Sequence, residues 1–135
     1  MQNLHLEPTP LTPLVSFNWN EGILDLRGRS SPDNSLGFYN PVFQYLDNFL
    51  KNQVSADLTI NVNLEYFNTS SLKCIFQILR KLAEIKKNGI EVIINWYYEE
   101  DDEDMLETGE DIADLLGIDF NFIAEDDYTN SRIAC

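Results

Sequence analysis

Histidine and basic side chains are what this sequence of 135 residues has least of: one histidine, and 9 lysines and arginines against 23 acids, for a net charge of -14. A surface so negative repels phosphate backbones and anionic lipid, which argues against nucleic-acid binding and membrane insertion. The histidine, His5, lies in a segment with Pro8, Pro10 and Pro13, so neither a Ser/His/Asp nor a Cys/His nucleophile can be assembled. Only two cysteines occur, Cys74 and Cys135, and they give no metal, redox or disulfide spacing. The few glycines, Gly28 and Gly37 among them, fit no phosphate-binding loop. No apolar run approaches the roughly 20 residues that span a bilayer, and no basic-then-apolar leader opens the chain. The expectation is a protein of the reducing cytoplasm, where the acceptor-like triplet Asn68-Thr69-Ser70 has no bearing on glycosylation.

What is present is the material of one folded domain, with 44% apolar residues and 12% aromatics. Residues 1–13 read as an extended lead-in with His5 solvated, 14–127 as a single domain, and 128–135 as an acidic tail's end. Val15, Phe17 and Trp19 alternate with polar residues, and after Asn20-Glu21-Gly22 so do Leu24 and Leu26, which predicts a β-hairpin. Gly28 to Asn40 is dense in turn formers and reads as a long loop. Asn40-Pro41 then looks like a helix start, and Val42, Tyr45, Leu46, Phe49 and Leu50 carry a buried stripe to about Gln53.

Leu58, Ile60, Val62, Leu64 and Tyr66 alternate with Thr59, Asn61, Asn63 and Glu65, the clearest strand in the chain. A second helix follows through Leu72, Ile75, Phe76, Leu79, Leu82 and Ala83 to Lys86, Lys87 and Asn88-Gly89. A strand over Ile90 to Tyr97, a third helix stopped by Gly117, and a last strand through Ile118, Phe120 and Phe122 complete the pattern. Strands separated by helices imply parallel crossovers, and the polar alternate face of the central strand places the helices on one side. The fold class is therefore α/β: a single domain with a mixed sheet of four or five strands, backed by three helices mainly on one face.

Two stretches could carry chemistry. Thr69, Ser70 and Ser71 stand where the central strand hands over to the second helix, at the carboxyl edge where open α/β sheets place function. One hydroxyl suffices to cap a helix; the others are candidates for modification, since a phosphate there meets free N–H groups of the first turn and Lys73 one turn on. The residue types alone leave the three hydroxyls level. The second stretch is Glu99, Glu100, Asp101, Asp102, Glu103 and Asp104, six acids without a break. As a metal-dependent enzyme the chain would use Asp101, Asp102 and Asp104, although the glycine turn of a calcium loop is missing. Otherwise the run is the acid-rich first turn of the third helix, continued by Glu107, Glu110 and Asp114 as a negative stripe that suits an acidic adaptor.

The stretches YFNTSSLK at 66–73 and NWYYEEDDEDMLETGEDI at 95–112, with GRSSPDN at 28–34 and FYNPVFQYL at 38–46, resemble the SiaC family of bacterial regulatory phosphoproteins. The resemblance covers roughly Gly22 to Asp114. It implies a STAS-like fold and a protein that is not an enzyme and has no cofactor. It further implies a partner switch that is phosphorylated on Thr69 by a threonine kinase (SiaB-like) and dephosphorylated by a PP2C-type phosphatase (SiaA-like). The unmodified form would bind and activate a diguanylate cyclase (SiaD-like), raising cyclic-di-GMP and promoting biofilm. Ser70 and Ser71 are the secondary acceptor candidates; Arg29, Asn68, Lys73 and the run Glu99 to Asp104 are the partner-binding candidates. Leu72 departs from a serine common in the family, and Asp33 from a glutamate.

Overall fold

The computed structural model describes residues 3–52 and 57–126. Along the chain come β1 (Leu4–Leu6), β2 (Leu14–Asn18), β3 (Ile23–Ser30), α1 (Ser35–Asn52), β4 (Leu58–Phe67), α2 (Thr69–Lys87), β5 (Val92–Glu99), α3 (Glu103–Leu116) and β6 (Asn121–Glu125). They form one six-stranded sheet in sequential order. β1, β2 and β3 pair antiparallel, whereas β3, β4, β5 and β6 are parallel to one another. Three crossovers that each step to the next strand with the same hand leave all three helices on one face. The alternation in β4 reports this directly, with Leu58, Ile60, Val62 and Leu64 buried against helices and Thr59, Asn61 and Asn63 half-exposed.

The sheet has one strand more than the expected four or five. Leu4–Leu6 is too short for its pattern to register in sequence, yet Leu4 pairs with Phe17 and is buried, and the Asn3 Oδ1 accepts the Trp19 N–H at 2.8 Å. His5, on that strand, reaches the Glu7 carboxylate at 2.8 Å from an exposed position. The expected loop from Gly28 to Asn40 also shrinks. β3 runs on to Ser30, and α1 begins at Ser35, with the Asn34 Oδ1 accepting the Gly37 N–H at 3.0 Å. Asn34 is thus the capping residue in place of Asn40, and Pro41 lies inside α1, where it has no N–H to offer the Gly37 carbonyl. The far end of this helix at Gln53 and the segment 128–135, Cys135 included, lie outside the described residues.

The face without helices carries a row of polar side chains at matched register. Asn61 donates to Asp25 at 2.7 Å, Asn95 to Asn61 at 2.8 Å, and Asn121 to Asn95 at 3.0 Å, so a ladder of carboxamides crosses the four parallel strands. The helical face is closed at β5 by Trp96, wholly buried and stacked on Phe120 with centroids 6.2 Å apart. Its indole N–H donates to the Met105 carbonyl of α3 at 3.0 Å, which draws the helix close enough that only glycine fits at position 109. Gly117, at φ 68°, ends α3 in the left-handed cap expected of it.

A Cβ at position 109 would stand 2.6 Å from the Trp96 indole nitrogen. Gly109→Ala should gain about 1 kcal/mol of helix propensity and lose more than that, up to about 3 kcal/mol, to overpacking. Urea unfolding should give a lower midpoint with altered tryptophan emission; an unchanged midpoint would show that α3 is not seated on Trp96.

Candidate functional site

The carboxyl ends of the parallel strands bring the sequence candidates to one edge. β4 ends at Phe67, and Asn68 caps α2, its Oδ1 accepting the Ser71 N–H at 2.8 Å. The cap is therefore a carboxamide, and none of the three hydroxyls is needed for it. Each has a different position instead. Thr69, the first helical residue, is exposed, and among the described residues its hydroxyl takes part in no side-chain hydrogen bond. Ser70 is exposed and donates to Asn68 Oδ1 at 3.2 Å. Ser71 is buried, with no exposed surface, so its hydroxyl is withdrawn from any modifying enzyme.

What Ser71 does is structural. Its hydroxyl accepts from Ser30 at 2.8 Å; Ser30 lies 2.6 Å from the Tyr39 hydroxyl, and Ser35 lies 3.3 Å from Ser71 and 2.7 Å from Ser70. A hydroxyl has one proton, so the directions at Ser30 and Ser70 order the rest. Tyr39 donates to Ser30, Ser30 to Ser71, Ser71 to Ser35, Ser35 to Ser70, and Ser70 to Asn68. The chain ties the end of β3 and the start of α1 to the first turn of α2, and bonds aligned in one direction polarise one another. Burial pushes the Tyr39 phenol up to about 12, the Ser30 hydrogen bond only partly offsetting the desolvation. Burial likewise raises the Cys74 thiol, which keeps it from acting as a thiolate. Ser30 and Tyr39 lie in the motifs GRSSPDN and FYNPVFQYL and Ser35 between them, but nothing in the sequence singled out these three side chains.

Arg29 and the acid run flank this edge. Arg29 lies beside Tyr66 in the register of β3 and β4, its guanidinium 4.4 Å from the ring centroid and its Nε donating to Ser31 Oγ at 3.1 Å. Lys73 is exposed one turn into α2. The six acids divide among three structural settings. Glu99 closes β5, Glu100 and the exposed Asp101 form the turn after it, with the Glu100 N–H donating to the Glu125 carbonyl at 2.7 Å, and Asp102 opens α3 as its cap by accepting the Met105 N–H at 3.0 Å. Glu103 and Asp104 fill the first turn, where the positive end of the helix favours them. Among the described residues no group of three His, Cys, Asp or Glu side chains converges to hold a metal ion, so Asp101, Asp102 and Asp104 do not form the constellation of a metal enzyme. Nor is any described helix long and apolar enough to cross a membrane.

These positions separate hydroxyls that hold the fold from one that does not. Asn68→Ala should lower stability by about 1 kcal/mol through the lost cap, and Ser71→Ala by about 1–3 kcal/mol through buried partners left unpaired. Thr69→Ala should stay within about 0.5 kcal/mol of the parent. Parallel urea titrations decide the order, and a Thr69→Ala variant as weak as Ser71→Ala would place Thr69 in the chain. At alkaline pH the unfolded Tyr39 ionises near 10 while the folded one holds its proton to about 12, so stability present below 10 is lost as pH rises through that window. Tyr39→Phe should remove that part of the slope, and absorbance titration should lose its latest tyrosine.

The match to known proteins spans nearly all of this architecture. The model of the SiaC family of regulatory phosphoproteins matches residues 6–125. An uncharacterized protein of Pseudomonas aeruginosa (strain UCBPP-PA14) is 31% identical over 127 residues, 94% of this chain and all of the relative. The crystal structure of apo-SiaC from Pseudomonas aeruginosa superposes with a TM-score of 0.81 at 30% identity, over 93% of this chain and 99% of that one. SiaC in the crystal structure of the diguanylate cyclase SiaD in complex with its activator SiaC, from the same organism, gives 0.85 at 30% identity, over 90% and 99%. With hydroxyl edge, acid run and parallel sheet all inside the matched span, this chain belongs to the SiaC family of regulatory phosphoproteins.

Proposed function

We propose that this chain is a non-enzymatic regulator that binds and activates a diguanylate cyclase, and that phosphorylation of Thr69 turns the binding off. A threonine kinase adds the phosphate and a PP2C-type phosphatase removes it, the cyclase raising cyclic-di-GMP while Thr69 is unmodified. The observation that carries this reading is the release of Thr69 from structural work. It is exposed at the first position of α2 while Asn68 supplies the cap. Ser70 is the secondary acceptor, and it is the lesser one because its hydroxyl donates to the capping carboxamide. The Pseudomonas aeruginosa structure supports the partner class, SiaC there being the activator of SiaD.

The electrostatics favour a switch. A phosphate at Thr69 gains about 0.3–1 kcal/mol from the end of α2. It also joins a chain of net charge -14, on the edge where β5 delivers the acid run beside β4. At a separation of about 8 Å and an effective dielectric constant of about 40, each carboxylate repels a doubly charged phosphate by about 2 kcal/mol before salt screening. Repulsion outweighs the helix term as soon as one carboxylate lies within that range. A partner that had packed on the neutral edge, where Leu36 is 67% exposed beside Ser35, would be displaced.

Incubated with its kinase, the wild-type chain should gain the mass of one phosphate and Thr69→Ala none; equal uptake by both would move the acceptor elsewhere. In calorimetry with the diguanylate cyclase, Thr69→Glu should bind at least tenfold more weakly than wild type, while Thr69→Ala binds as wild type does. Equal affinity of Thr69→Glu would remove charge at this edge as the control.

A further inference from the structure

The parallel sheet divides at its carboxyl end. β4 and β5 stay in register only as far as Val62 and Trp96, although β4 runs on to Phe67 and β5 to Glu99. Their outer neighbours follow them to the end, β3 pairing with β4 up to Phe67 and β6 with β5 up to Glu99. Two paired halves that part between the middle strands make a fork. One residue explains the parting: Glu65 is an extra residue in β4, set between the pairs Gly28 with Leu64 and Arg29 with Tyr66. A bulge of this kind bends its strand, steepens the local twist and re-aims a side chain. On the helical side Phe67 meets Trp96 edge to face, with centroids 6.4 Å apart, and fills the opening from that side.

The fork holds a crevice of about 560 Å³, a size that takes a small molecule. Open α/β sheets hold their ligands at the carboxyl ends of parallel strands, in a crevice that a reversal of strand order creates. Here the order is sequential, and the fork supplies the crevice instead. Its walls select the ligand. Glu65, Glu99 and Glu125 line it from β4, β5 and β6, and Asp102 from the cap of α3, against a single base, Arg27 on β3. Anions are therefore repelled. Among the described residues no three acids converge to hold a metal ion, so the charge is spread along the crevice, over roughly 10 Å from β4 to β6 at ordinary strand spacing. Between the acids lie the half-buried Tyr97 and Tyr98, whose rings receive methylene and ammonium groups. We infer that the fork between β4 and β5 is a binding site for an elongated organic cation, an aliphatic polyamine. Its ammonium groups lie against Glu65 and the acidic ends of β5 and β6, and its methylene chain along the tyrosines. The site goes beyond the proposed switch at Thr69, and neither requires the other.

Titration of the full chain with spermidine, followed by calorimetry and by backbone amide resonances, tests this. A chain of net charge -14 attracts any polycation, so the titration is run at about 0.15 M salt, where such diffuse attraction is screened. Glu65→Gln and Tyr97→Leu should each weaken binding about fivefold or more. Glu21→Gln removes the same charge from an exposed turn at the amino end of β3, and should leave the affinity within about twofold of wild type. Arg27→Gln should tighten binding, by removing the one repelling charge. Amide shifts confined to 27–28, 63–65, 97–102 and 125 would uphold the site. Equal weakening by Glu65→Gln and Glu21→Gln, or shifts spread along α3, would overturn it by showing diffuse attraction alone. Absence of both heat and shifts with wild type would overturn it outright. Glu65 is exposed, so Glu65→Gln keeps the test decisive if Tyr97→Leu does not fold.

Discussion

The hydrogen bond from the Ser71 amide to the Asn68 side chain, 2.8 Å long, sets the conditions for everything at the carboxyl edge of this sheet. A helix N-terminus must find acceptors for its free N–H groups, and serine and threonine are common suppliers. Here a carboxamide takes that part. Ser71, turned inward, joins Ser30, Ser35 and Tyr39, while Thr69 is left on the surface with a hydroxyl that no fold contact requires. Three adjacent residues of nearly the same chemistry thus divide into two that are exposed, Thr69 and Ser70, and one that is buried, Ser71. The difference arises from the hundred-degree step of the helix, which points Ser71 at the end of β3 and Thr69 away from it.

Much of this architecture was legible in the chain. β4, α2 and α3 have long, regular periods, and nothing tertiary contradicts them. Gly117 was readable because a left-handed cap admits few other residues. The beginning of α1 was not. Asn40-Pro41 has the local chemistry of a helix start, but Asn34 has it too, and the choice depends on Tyr39 reaching Ser30, a contact between different elements. β1 escaped because three residues cannot display a period; its pairing is fixed by Phe17 and Val15 across the sheet. Of the candidate site, the hydroxyl cluster and the acid run could be located, whereas their ranking could not. Whether a serine is buried depends on partners 36 and 41 positions away.

The excess of acid is distributed with some order. Asp25 faces the uncovered side of the sheet, Asp102 caps a helix, and Glu103 and Asp104 occupy a favourable helix start. Those placements follow from backbone physics. The acids of the later turns of α3 have no comparable partner within the helix, and they border an apolar groove. Negative charge that folding does not use remains on the surface, where its field acts on whatever approaches.

The carboxamide ladder on the uncovered face has a consequence for assembly. Asp25 can only accept, so Asn61 must turn its amide toward it, which presents the Asn61 carbonyl to Asn95 and in turn the Asn95 carbonyl to Asn121. A single carboxylate therefore sets the orientation of three asparagines in three other strands. Sliding any one strand by a residue would break the sequence of donors and drive an asparagine into the apolar side of the sheet. Parallel strands form through long loops and have no hairpin to align them. The ladder serves as an alignment key, read across the sheet during folding, and it has a definite first tooth at Asp25.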